Sequence, residues 1–139
     1  MIYLFDNLFL TVLPAECTAY TNNSDSTRLL SYTAVQTYCD NGLTAGWYRF
    51  VGGAGTGLTT TYTGSPACGS RNAGFIPLGG YTGLTSANRT MILLYCFNQY
   101  LINGCAFQQN ITITYCDTYY VFHIAPIASA VCNYRYCTT

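Results

Sequence analysis

Eight cysteines, spread from position 17 to position 137, are the residues of this chain with the most chemistry open to them. Thiolates attack, ligate metals or join in pairs, and spacing decides among the three. No Cys-x-x-Cys pair occurs, the closest two, Cys132 and Cys137, enclose four residues, and the chain holds one histidine. Zinc sites draw on closely spaced ligand pairs, so an even count running the length of the chain points to disulfides and an extracytoplasmic compartment. Spacing alone leaves about a hundred pairings open.

The remaining candidates for chemistry are few. His123 is the one base that titrates near neutral pH, and it falls in a run of Tyr and Phe, where a structural role is the expectation. Asp6, Glu16, Asp25, Asp40 and Asp117 stand at wide intervals, with no Asp-x-Asp or Glu-x-x-His pairing of the kind used for metals or glycoside hydrolysis. Lysine is absent, which removes Schiff-base chemistry and the phosphate-loop lysine. The glycines of Gly52 to Gly57 fit neither nucleotide-binding pattern and are expected to serve turns with positive φ. No enzyme, metal or cofactor is expected.

Asp, Glu, Lys and Arg make up 7% of the 139 residues, against roughly 25% in an average soluble protein. The five basic residues are all arginine (Arg28, Arg49, Arg71, Arg89, Arg135) and equal the acids in number, so net charge is zero and a nucleic-acid partner is excluded for want of a basic stripe. The longest apolar run, Met91 to Phe97, is far short of the ~18 residues of a membrane span. Three sequons, beginning at Asn22, Asn88 and Asn110, are acceptors for N-glycans in a secreted protein and would help a chain with so little charge stay dissolved.

Positioning these groups falls to strands. Val, Ile, Thr, Tyr and Phe dominate and no segment sustains a capped 3.6-residue period, so the expected class is all-β, mainly antiparallel, with long Gly-rich loops and little helix. Strands are expected at Ile2 to Val12, Gly46 to Val51, Met91 to Phe97, Ile111 to Cys116 and Tyr119 to Ile124, with short helical pieces between Asp25 and Asp40. The pair flanking Asp117 and Thr118 reads as a hairpin: Ile111, Ile113 and Tyr115 share one face, Thr112, Thr114 and Cys116 the other, and one buried face is expected. Asn110 would open the first of these strands with its side chain turned outward. Val51 to Ala87 is Gly-rich and aperiodic, and needs a staple, for which Cys68 is placed.

Four segments together carry a specific likeness: GWYRFVGGAG (Gly46 to Gly55), the pair Cys68-Gly69, TITYCDTYYVFHIAP (Thr112 to Pro126) and CNYRYCTT (Cys132 to Thr139). In order and spacing they resemble the eight-cysteine extracellular domain of uromodulin and of the related pancreatic zymogen-granule membrane glycoprotein, over Cys17 to Thr139. The resemblance implies a secreted, non-enzymatic β module with Cys17 joined to Cys116, Cys39 to Cys132, Cys68 to Cys137 and Cys96 to Cys105. The extra cysteine pair of uromodulin is missing here, and the position of its mannose-presenting glycan corresponds to His123, which opens no sequon.

Residues 1–16 lie outside the resemblance and form an apolar arm ahead of a single 17–139 domain. Met1 to Ala15 lacks a basic leader and is interrupted by Asp6 and Asn7, so it is expected to belong to the folded molecule, with any signal upstream in a longer precursor. Ile2, Leu4, Leu8 and Leu10 share one parity while Phe5 and Phe9 leave the other apolar as well, and a strand apolar on both faces must be covered on both. The expectation is self-association, with Ile2, Leu4, Phe5, Leu8, Phe9 and Leu10 donated to a sheet of the same or a neighbouring subunit. The whole reads as a structural or interaction module of a secreted or surface glycoprotein, suited to be a filament or matrix subunit. A carbohydrate- or peptide-binding lectin-like adhesion module is the alternative, and would need a concave exposed Tyr/Trp patch with converging polar groups.

Overall fold

The computed structural model describes residues 12–64, 66–99 and 102–139. The expected strand at Ile2 to Val12 therefore lies almost wholly outside the described residues. Seven strands, β1 (Thr21–Asn23), β2 (Gly46–Phe50), β3 (Asn72–Phe75), β4 (Thr90–Gln99), β5 (Ile102–Tyr115), β6 (Tyr120–Ile124) and β7 (Tyr134–Arg135), form one curled sheet in the order β1-β2-β6-β5-β4-β3-β7. The two outer pairs, β1 with β2 and β3 with β7, are parallel and the rest antiparallel. Helix is confined, among the described residues, to three 3-10 turns at Ala15–Cys17, Ser26–Arg28 and Gly52–Ala54.

The pattern of the strongest segments explains the register. β4, β6 and the second half of β5 are rich in aliphatic, β-branched and aromatic residues, and pairing Ile113 with Met91 and Phe122 puts every second side chain on one side. That side carries Tyr48, Phe50, Tyr95, Phe97, Ile111, Ile113, Phe122 and Ile124, and Ile76, Tyr81 and Tyr136 close over it from the loops. The core is aromatic: Tyr95 lies 5.1 Å from Phe97 and 5.0 Å from Tyr136, ring centre to ring centre, and Tyr81 is edge-on to Phe122.

Three expectations are corrected. First, the hairpin is buried on more than one face. Ile111 and Ile113 enter the core, but Thr114 and Cys116 on the opposite side are buried too, because the chain from Leu13 to Cys17 lies over them and Glu16 accepts a hydrogen bond from the Thr114 hydroxyl at 2.8 Å. Second, Asn110 sits within β5, which begins at Ile102; the polar run to Asn110 is held extended by the long partner strand β4 rather than by its own propensity. Third, the Gly-rich stretch contains a fully buried strand, β3. Gly74 belongs there because a Cβ at that position would overlap the ring of Tyr95, so the strand approaches the core only without a side chain. Gly55, with φ +74°, turns the chain where a Cβ would strike the carbonyl of Thr139.

Burying tyrosines has a consequence in alkali. Burial pushes the phenols of Tyr81, Tyr95 and Tyr136 above their ordinary value, with Tyr120 adding to the effect at Tyr81. In the unfolded chain they ionise near pH ~10. The neutral form is therefore favoured by folding, its contribution is complete below pH ~10, and it is lost as pH rises beyond that. Stability should fall above pH ~10 by up to ~1.4 kcal/mol per pH unit for each such group. Phenolate absorbance followed beside denaturant unfolding checks this: a class of tyrosines should ionise only with unfolding, whereas ionisation of all tyrosines in the folded protein would refute it.

Candidate functional site

The cysteines form four bridges, Cys17–Cys116, Cys39–Cys132, Cys68–Cys137 and Cys96–Cys105, with Cα separations of 5.7, 5.1, 5.6 and 4.9 Å. The first three interlock along the chain, while Cys96–Cys105 staples β4 to β5. Cys68–Cys137 holds the Gly-rich stretch against the final residues, the staple that stretch requires.

Two arginines complete the work of the bridges at the C-terminal segment. The Arg28 guanidinium meets the Asp40 carboxylate with two bonds, 2.8 Å from Nη1 and 2.6 Å from Nη2, both side chains almost fully buried. The Tyr136 peptide is gripped from both ends: its N–H donates to Asp40 Oδ2 at 2.8 Å and its carbonyl accepts from Arg28 Nη1 at 3.1 Å. Arg135, directly before it, donates to the carbonyls of Cys68 and Thr27 and to the Asp25 carboxylate at 2.7 Å, and lies over the Tyr38 ring. Burial raises the Asp25 carboxyl, but bonds from the Thr27 hydroxyl and amide, with Arg135 nearby, outweigh it and hold the group below the usual carboxylate range.

The opposite side of the sheet is covered in part by the N-terminal segment and exposed in part. Because residues in register share a face, Trp47, His123, Thr112 and Ile92 form one row across β2, β6, β5 and β4, beside a second row of Asn22, Arg49, Val121, Thr114 and Thr90. His123 is exposed and meets Trp47 edge-on at 5.3 Å. Arg49 is stacked on the Tyr119 ring at 3.8 Å and donates to the Tyr20 hydroxyl at 3.1 Å. Tyr119 donates in turn to the Cys17 carbonyl. These polar ends are spent on the protein's own groups, so the cluster clamps the N-terminal segment and does not present converging donors to a ligand.

No three His, Cys, Asp or Glu side chains among the described residues are placed to hold a metal ion, and none of the described hydrogen bonds joins His123 to an acid. Asn22, Asn88 and Asn110 are all exposed: Asn22 on β1 opposite Arg49, Asn88 in the turn before β4, Asn110 on β5 opposite Leu94. The proposed interface residues Ile2, Leu4, Phe5, Leu8, Phe9 and Leu10 lie outside the described residues. The described chain opens at Val12, exposed by 89%, and Leu13 then packs against the cluster of Cys17, Cys116, Val121, Tyr20, Trp47 and Tyr119. Sequence reasoning missed the Arg28–Asp40 and Arg135–Asp25 pairs; a chain with so few charges that places an arginine between tyrosines at the terminal cysteines offered the one available hint.

An all-β sheet closed by four disulfides, with Arg28 and Arg135 turned inward as clamps, defines a non-catalytic disulfide-rich module of the sort typical of structural and adhesion domains outside the cell. The family model of the uromodulin-like eight-cysteine domain matches residues 48–138, more than half of the chain, and the chain belongs to that family. Membership is consistent with an extracellular location. Among the described residues no helix is long and apolar enough to cross a membrane. No curated protein matches the chain.

Proposed function

We propose that the protein is a structural or interaction module of a secreted or surface glycoprotein, a 17–139 domain that self-associates through the apolar arm of residues 1–16 and so serves as a subunit of an extracellular filament or matrix. The observation that carries this reading is the rigid, non-catalytic uromodulin-like framework joined to an arm of unusual apolarity, MIYLFDNLFLTV, whose root at Leu13 is already seated on the module. An extended arm donated to an acceptor sheet gains main-chain hydrogen bonds and removes its side chains from water, at roughly 1.5–3 kcal/mol for each large one. N-glycans on Asn22, Asn88 and Asn110 supply the solubility that a neutral surface lacks.

Deleting Met1 to Val12 should abolish multimers and leave a folded monomer with all four bridges, as read by light scattering on a sizing column and by non-reducing peptide mapping. A deletion that unfolds the domain, or leaves assembly unchanged, defeats the proposal.

A further inference from the structure

Among the described strand residues, Ile92 is the one large apolar side chain left exposed, at 68%, and it stands at the end of the row of Trp47, His123 and Thr112. Leu94, two residues along β4 on the same side, is half-buried, so the two side chains leave an apolar strip on an otherwise polar face. Two of the three sequon asparagines lie on this same face. Asn110 is two residues before Thr112 on β5, so both point outward, and its register partner is Leu94, two residues from Ile92 on β4. Asn22 is in register with Arg49, two residues from Trp47 on β2. Adjacent strands are ~4.8 Å apart and alternate residues ~7 Å apart, so the first two sugars of a chain rooted at Asn110, about 10 Å long, reach across Leu94 and Ile92, and those rooted at Asn22 reach Trp47.

We propose that the outer face of the sheet is sealed by its own N-glycans: the core sugars on Asn110 lie over Leu94 and Ile92, those on Asn22 over Trp47 and His123, and the face is thereby closed to protein partners. The inference rests on the secreted-glycoprotein reading above and adds to it a location and a task for two of the three glycans. Attachment joins the Asn Nδ2 to the anomeric carbon of the first N-acetylglucosamine, an amide proton is lost, and the diphosphate-linked lipid donor leaves. The apolar faces of the pyranose rings then replace water over the exposed side chains. Asn88, in the turn before β4, takes no part in the covering.

Trp47 is the single tryptophan, which makes its fluorescence a reporter of this face alone. The full chain, secreted from eukaryotic cells, is compared with the N22Q/N110Q double variant and with N88Q by acrylamide quenching of Trp47 and by light scattering. The double variant should show a higher quenching constant and a loss of monodispersity beyond that of the parent, N88Q should show neither, and adding Ile92→Thr should restore the lost monodispersity. Occupied glycans with quenching and association unchanged on their removal would overturn the sealing while leaving the glycoprotein reading standing; unmodified Asn22 and Asn110 in the secreted protein would overturn the sealing, and an unmodified Asn88 as well would overturn the glycoprotein reading.

Discussion

Replacing Asp40 with alanine is expected to destabilise the module by about 3–5 kcal/mol, the range for stranding a buried charge. The carboxylate is 3% exposed and holds three groups at once: both Nη atoms of Arg28 and the peptide N–H of Tyr136. Its removal leaves the Arg28 guanidinium in the core with one hydrogen bond among the described residues, to the Tyr136 carbonyl. Arg28→Met should cost a similar amount by leaving the carboxylate unpaired. The double variant Arg28→Met/Asp40→Leu should lose far less than the two single losses added together, since an ion pair replaced by apolar groups of like volume no longer carries a desolvation penalty. Denaturant unfolding with the disulfides intact measures all three. A single-variant loss under ~1 kcal/mol would place the pair among surface salt bridges in energetic terms and refute its role as the clamp on Tyr136.

That clamp also shows why parts of this molecule could be read from its sequence and parts could not. Strands β2, β4, β6 and the second half of β5 were legible because Gly46 to Val51, Met91 to Phe97, Ile111 to Cys116 and Tyr119 to Ile124 are short runs rich in aliphatic, β-branched and aromatic residues, a local property, to which Ile111 to Cys116 adds alternation. Strands β1, β3 and β7 are two to four residues long and made of Thr, Asn, Ala, Gly, Phe, Tyr and Arg. They are strands because distant partners hold them, β3 by pairing with β4 and β7, and no local rule reports such pairings. The first half of β5 has the same explanation.

The segments that carried the family likeness prove to be working parts of this framework. In WYRF, Tyr48 and Phe50 enter the core while Arg49 is pinned beneath Tyr119; in CNYRYC, Arg135 and Tyr136 are held by Asp25, Asp40 and Arg28 from more than ninety residues away in the chain. A sequence displays such residues but not their partners, and the same holds for the cysteines, whose spacing left about a hundred pairings open. The sequons were visible as motifs. That Asn22 and Asn110 share one face of the sheet was not, because it follows from the register of β1 on β2 and of β5 on β4.

Replacing Cys17 and Cys116 together with alanine is expected to cost about 2–5 kcal/mol, and more than the matching change at Cys96 and Cys105. The sequence separations are 99 and 9, but three of the bridges interlock, so length alone overstates the contrast. With Cys39–Cys132 in place, the loop closed by Cys17–Cys116 is roughly 40 residues, for which chain entropy gives ~4 kcal/mol, against ~2.7 kcal/mol for the short hairpin loop. The packing around the longer bridge adds to the difference. Cys17 and Cys116 are buried with Val121, and around them Leu13, Tyr20, Trp47 and Tyr119 pack, with Tyr119 bonded to the Cys17 carbonyl and Glu16 to Thr114. Without the bridge, residues 13–23 should open ahead of the rest of the sheet, because β1 is three residues long and, among the described strands, pairs only with β2. Hydrogen exchange should therefore speed up at Cys17 and through β1, and Trp47 should become more accessible to quencher, while exchange at Ile111 and Ile113 stays slow up to global unfolding. A larger loss from the Cys96 and Cys105 change, or uniform acceleration of exchange across the core, would show that the N-terminal segment is held by its packing and that this bridge adds little to it.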